Sequence, residues 1–168
     1  MPRPLNFITR EKELELINKL LTVVDCSHYD PKTTCVVMVS PDYSATVAMH
    51  LAHAWSQSGE MLPIVTLDVP YPGEAPDHYL DTLLARESEF VKYKHLVLVE
   101  AGVIRGGNWQ WILQTLAGFG FHRKQISLVA LCENIHSKTK SDYVGEYYDD
   151  SEAELMFYFE RFNKHWTR

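Results

Sequence analysis

No apolar run in this chain approaches the roughly 20 residues that a bilayer-spanning helix needs. The opening Met1-Pro2-Arg3-Pro4 lacks the apolar core of a secretory leader. Cysteine is scarce: Cys26, Cys35 and Cys132 form no CxxC, and one is left over if two bridge. Cys35 and Cys132 sit inside strand-like apolar runs and read as small buried hydrophobes. A reducing, cytoplasmic compartment fits these features best. Positive charge is also in short supply, with 16 Lys and Arg against 22 Asp and Glu and a formal net charge of −6. That argues against a general nucleic-acid binder, which would show a basic face, but leaves room for a local basic pocket. There is no Gly-x-Ser-x-Gly elbow, no Walker loop, no charged setting around Cys26 and no internal repeat.

What is present suits one domain: 168 residues are enough for a single core and too few for two comfortable ones. Thr9 can cap a helix reaching roughly Val24, with Leu14, Ile17, Leu20, Leu21 and Val24 at helical spacing. Pro2 and Pro4 suggest an extended arm before it. Cys35–Val39 is a β-branched run of the kind a buried parallel strand needs. Ser40-Pro41-Asp42 breaks it, and a helix follows from about Tyr43 to Gln57, stopped by Gly59. Leu62–Asp68 reads as a strand, Val69–Asp77 as a proline-rich loop, and His78–Lys92 as a helix. Ile126–Cys132 and Asp142–Tyr148 read as two further strands. Ser151 with Glu154 makes a capping box for a last, aromatic helix to about His165.

The chain centres on His95–Phe121. A buried strand (Leu96–Val99) runs into one acid, Glu100, then a glycine-bearing loop, then a helix from Trp109. Such a loop and helix N-terminus at the carboxyl end of a strand favour an anion, because unpaired N–H groups and the helix dipole converge there. Gly106 and Gly107 permit close backbone approach, Arg105 supplies a fixed positive charge, and Asn108 can cap the helix. The alternative is a plain strand-to-helix turn, since a glycine pair is weakly specific.

The segment VLVEAGVIRGGNWQWILQTLAGFG resembles the signature of the type I phosphoribosyltransferases, in which a strand enters two acids, two aliphatics and a phosphate loop. In that register Glu100 takes the first acidic place and Arg105, Gly106, Gly107 and Asn108 the phosphate-binding loop. CVVMVSPDYSATVAMHLAHAW resembles the family's earlier strand, with Ser40, Pro41, Asp42 and Tyr43 at the pyrophosphate loop. ISLVALC, followed ten residues later by DYVGEYYDD, resembles the hypoxanthine-guanine branch, with Val144 and Glu133 at base-contacting positions. The resemblance implies an α/β fold, a mostly parallel five-stranded sheet flanked by helices. It also implies a nucleotide, phosphoribosyl or other phosphorylated small ligand, a place in purine salvage, and magnesium, with Glu100 its candidate ligand, if transfer occurs.

The departures from that pattern bear on the chemistry. Ala101 stands at the second acidic place, Ile104 at the place of the general base, and Glu133 where a lysine would hold the exocyclic oxygen of the base. Pro41 removes an N–H from the pyrophosphate loop. The expectation is therefore a degenerate member with weak or no transfer. The alternatives are an active purine-type enzyme using Glu100, and a non-catalytic scaffold acting through the C-terminal helix. The division expected is an arm and helix over 1–34, a core over 35–149 and a C-terminal helix over 150–168. Asp142, Glu146, Asp149, Asp150, Glu152 and Glu154 could bind a cation or form a solvated edge. His50 and His53 have the spacing of metal ligands but no identifiable third partner. Trp109, Trp111, Phe119 and Phe121 suit core or interface packing better than base stacking, and an exposed aromatic stripe on the last helix would support a homodimer. No contact with nucleic acid or membrane is expected.

Overall fold

The computed structural model describes residues 5–27, 29–55, 59–69, 81, 83–152 and 154–157. In chain order these form β1 (Leu5–Ile8), α1 (Arg10–Val23), β2 (Thr34–Val39), α2 (Pro41–Ala54), β3 (Ile64–Leu67) and α3 (Glu87–Phe90). They continue with β4 (His95–Val103), α4 (Gly107–Gly118), a 3-10 turn (Arg123–Gln125), β5 (Ile126–Asn134), β6 (Tyr143–Tyr148) and β7 (Glu154–Phe157). Five strands make one sheet in the order β3-β2-β4-β5-β6, with every neighbouring pair parallel. β1 and β7 form a separate parallel pair.

The inner strands are apolar almost without interruption because helices cover both faces of a parallel sheet. All six residues of β2 and all nine of β5 are buried. On one face Val36, Val97, Val99 and Val129 pack against α1 and α2 through Leu16, Leu20, Val47 and Leu51. On the other, Val37, Leu96, Leu98 and Leu128 pack against Trp109, Ile112 and Leu116 of α4. The alternation slips at the carboxyl end of β4. Ala101 packs with Val97 and Val99, Val103 lies on the α4 side, and a Cβ on Gly102 would face Leu155 and Phe157. Leu131 and Cys132 of β5 likewise both meet the α1–α2 face, opposite that slip.

Helix α1 starts as the sequence predicts, with Thr9 Oγ1 accepting the Lys12 N–H at 3.2 Å. Its buried stripe is Glu13, Leu16, Ile17 and Leu20, whereas Leu14 is exposed. Helix α2 begins at Pro41 rather than at Tyr43, because proline suits the first helical position, where no N–H acceptor is needed. The arm before α1 contributes β1. The C-terminal helix needs a correction: Glu154–Phe157 is a strand paired with β1, and the rest of that expected helix lies outside the described residues. The capping box fails because Ser151 turns back instead. Its N–H and O–H both donate to Asp149 Oδ1, at 2.8 and 2.5 Å. Most of the proline-rich loop and part of the helix expected over His78–Lys92 also fall outside the described residues.

Cys35 and Cys132 are buried and Cys26 is half-buried, none of them bridged. Burial pushes both the Cys35 and the Cys132 thiols up to about 12. Among the described residues no helix is long and apolar enough to cross a membrane.

Candidate functional site

The carboxyl ends of β2 and β4 lie side by side in the sheet, which brings two of the predicted loops to one edge. At β2, Ser40 takes a left-handed conformation with φ 51°. Its N–H donates to the Leu67 carbonyl at 3.0 Å, and its own carbonyl accepts the Ser44 N–H at 3.1 Å. Pro41, Asp42 and Tyr43 form the first turn of α2. One turn in, buried Ser44 accepts the Ala101 N–H on its Oγ at 3.1 Å, tying α2 to the strand that carries Glu100.

At β4 the strand delivers Glu100 to the α4 side, 7% exposed. Asn108, in the first turn of α4, donates from Nδ2 to Glu100 Oε1 at 3.4 Å. Burial pushes the Glu100 carboxyl up to about 7, with the Asn108 hydrogen bond opposing the shift. Gly106 is the N-cap of α4 at φ 71°, and its carbonyl accepts the Gln110 N–H, the bond that starts the helix. The N–H groups of Gly107, Asn108 and Trp109 therefore precede the intrahelical ladder. Arg105 is exposed, and open space lies where a Cβ of Gly107 would be. Of the positions that depart from the family pattern, Ala101 is fully buried in the core and Ile104 is 50% exposed.

The turn between β5 and β6 forms a wall beside this loop. A Cβ on Gly106 would come within 2.5 Å of both Ser137 Oγ and the Thr139 carbonyl oxygen. Lys138 donates its N–H to the Arg105 carbonyl at 3.2 Å, and the buried Trp109 indole donates to Ser141 Oγ at 2.9 Å. Glu133 is wholly enclosed under this turn, while Val144 is half-buried on β6 and pairs with Ala130. Trp109→Phe removes the indole donor and should lower stability by about 1–2 kcal/mol. A urea titration would read this as a lower midpoint at unchanged slope.

Several of the remaining candidates have structural partners. Asp142 binds Arg123 at 2.6 Å and the Leu128 N–H at 2.8 Å, and Glu146 binds Lys12 at 3.2 Å. His50 and His53 are exposed on α2, and His50 Nδ1 lies 2.8 Å from the Thr46 carbonyl within its own helix. Trp109 and Phe121 belong to the core, and Trp111 and Phe119 are half-buried against it. Among the described residues no group of three His, Cys, Asp or Glu side chains is placed to hold a metal. Glu100 by itself offers a single carboxylate, whereas magnesium takes several oxygens in near-octahedral array, so the other oxygens would have to come from a bound ligand and water.

Sequence reasoning named Glu100 and Asn108 separately, without their contact, and missed Ser44, Ser137, Lys140 and Ser141. Ser44 was open to detection, since it shares the buried helical spacing of Val47, Ala48 and Leu51. The other three become neighbours of the loop only through the β5–β6 crossover.

The fold is the one seen in solved purine phosphoribosyltransferases. Among solved structures the chain is similar to the Helicobacter pylori xanthine-guanine-hypoxanthine phosphoribosyltransferase. The two are 15% identical with a TM-score of 0.65, over 94% of this chain and 93% of that one. It is similar to a purine phosphoribosyltransferase from Pyrococcus horikoshii at 16% identity, with a TM-score of 0.63 over 91% of each chain. A third likeness is to a Neisseria gonorrhoeae hypothetical protein with bound ppGpp, at 13% identity and a TM-score of 0.61, over 94% and 89% of the two chains. No protein-family model matches the sequence, and no curated protein matches it. The likeness is therefore one of fold.

Proposed function

We propose that this chain is a phosphoribosyltransferase-like protein that binds a nucleotide, phosphoribosyl or phosphate group at Arg105–Asn108, with weak or no transfer. The observation that carries this reading is the left-handed Gly106 cap. It opens α4 at the carboxyl end of β4 and leaves the space over Gly107 free. Phosphate oxygens would be held by the first-turn N–H groups and by Arg105, and Glu100 with Asn108 would take sugar hydroxyls. Ser40, with Pro41, Asp42 and Tyr43, would border a second phosphate, and Val144 would lie against a base.

Transfer from phosphoribosyl pyrophosphate builds positive charge at the anomeric carbon and commonly needs a positioned proton acceptor near the incoming base. Ala101 and Ile104 remove two of the three acidic groups in the family pattern, and one positioned acid–base group typically contributes ~10²–10⁴-fold. Glu100 is the remaining acid, and one carboxyl stands where the family pattern has three acidic groups. Binding thus survives the substitutions better than catalysis.

Calorimetry with ribose 5-phosphate and nucleoside monophosphates tests the binding half. Arg105→Ala should weaken a measured affinity about tenfold, in line with loss of one charge-assisted contact of ~1.5 kcal/mol. An unchanged affinity removes the phosphate site. The catalytic half is tested by pyrophosphate release with hypoxanthine, guanine or xanthine. Turnover near the ~10 s⁻¹ typical of enzymes would establish instead the active purine-type enzyme.

A further inference from the structure

Strand β4 runs on past the end of its neighbour β2. The β2–β4 register closes at Met38 and Val99, and β2 then turns toward β3, the Ser40 N–H donating to the Leu67 carbonyl. On its other side β4 pairs through Glu100 with Ala130 and through Gly102 with Cys132, and Ala101 falls between these two pairs. Ala101 is buried, and a buried N–H that finds no acceptor is costly. Its N–H donates to Ser44 Oγ at 3.1 Å, from one turn inside α2, where Ser44 is itself wholly buried. A serine hydroxyl thus stands where the next residue of a longer β2 would have been.

That N–H belongs to the peptide that follows Glu100. Because a peptide unit is planar, holding its N–H fixes the backbone torsion from which the Glu100 side chain sets out toward α4. The carboxyl end is held more loosely, by Asn108 Nδ2 at 3.4 Å, at the long end of the hydrogen-bond range. The backbone therefore does most of the aiming. Ser44 is also built into the other loop, since its own N–H donates to the Ser40 carbonyl at 3.1 Å and closes the turn that carries Pro41, Asp42 and Tyr43. We propose that Ser44 is a positioning residue of this site: through the Ala101 N–H it aims Glu100 at Asn108 and at a ligand held beside them. The ligand half of this inference rests on the phosphate-site reading above.

Nitrogen-15 spectra of the Asn108 side-chain amide test it, because Asn108 is on a different helix from Ser44. Ser44→Ala should shift this resonance toward its position in Glu100→Ala. Val47→Ala trims another buried side chain of α2 and should leave the resonance in place. Ribose 5-phosphate should bind Ser44→Ala about tenfold more weakly in calorimetry, the loss of one positioned hydrogen bond, and Val47→Ala within about twofold of wild type. An Asn108 resonance that stays put in Ser44→Ala, or moves as far in Val47→Ala, overturns the inference. So does Ser44→Ala binding ribose 5-phosphate as tightly as wild type does. If wild type does not bind it, the phosphate-site reading falls, and the Asn108 resonance still decides whether Ser44 aims Glu100. Should Ser44→Ala fail to fold, Ser44→Thr and Ser44→Val, alike in shape, replace it. The Asn108 resonance should lie nearer wild type in the threonine variant, which keeps the hydroxyl, and equal or reversed positions overturn the inference.

Discussion

Gly106→Ala should melt about 4–20 °C below the parent protein, whereas Gly107→Ala, one residue on, should melt at or slightly above it. At φ 71° a side chain at position 106 costs about 1–2 kcal/mol in backbone strain alone. The new methyl would also lie 2.5 Å from the Thr139 carbonyl oxygen and 2.8 Å from the Thr139 nitrogen. Ser137 Oγ, equally close, can rotate away, but backbone cannot. Overpacking of this kind adds about 1–3 kcal/mol. Together these come to ~2–5 kcal/mol, and each kcal/mol is worth roughly 2–4 °C in a chain of this size. Position 107 has no atom within 4 Å and lies in a helix, where alanine is better than glycine by up to ~1 kcal/mol. Thermal melts by circular dichroism separate the two. If Gly106→Ala melts with the parent, the β5–β6 turn does not press on the loop as described.

Wild-type stability should fall by about 3 kcal/mol between pH 5 and pH 8, and Glu100→Gln should remove that fall. The Glu100 carboxyl is raised from 4.5 to about 7 by burial. Between those values the folded protein holds a proton that the unfolded chain has released. The unfolded state then binds fewer protons, so stability declines as pH rises through the window and levels off above about 7. The gap between the two values corresponds to ~3 kcal/mol. Asp149 moves in the opposite sense, since its hydrogen bonds from Ser151 lower its carboxyl below 3.8. Its contribution is present above 3.8 and lost in stronger acid, outside the window. Urea unfolding of both proteins at pH 5 and pH 8 measures the difference. Parallel behaviour of wild type and variant would show that Glu100 is not held in a dry environment.

The layered sheet was legible because buried parallel strands announce themselves by composition. CVVMV, HLVLVE and ISLVALC are apolar with hardly a break, and each became an inner strand. Thr9 and the Gly106-Gly107 pair likewise act locally, so spacing alone located them. Leu14 and Leu16 show where periodicity stops. Either can be placed on a helical stripe, and only the position of the sheet buries Leu16 and exposes Leu14. β7 was misread for a sharper reason. Its Leu155 and Phe157 sit after a capping-box pattern, and its true partner is β1, almost the whole chain away. Within the site, the Glu100–Asn108 contact spans eight residues and could be anticipated. The hydrogen bonds from Ala101 to Ser44 and from Trp109 to Ser141 join separate elements, and nothing in the local sequence encodes them.

The pairing of β1 with β7 also has a consequence for the order in which the molecule is made. Asn6 and Leu155 are register partners about 150 residues apart. Closing so long a loop costs little more than closing one half its length, but the cost must be met before any contact in the pair repays it. The β2–β4–β5–β6 sheet, built from successive crossovers, therefore has a head start in folding, and the two short strands dock on a sheet already formed. Phe157 then comes down on Gly102, where a Cβ would stand 3.2 Å from its ring. The residue that follows the Glu100-Ala101 pair is thus covered last. A chain halted before that docking would carry its Arg105–Asn108 loop complete and the end of β4 still open to water.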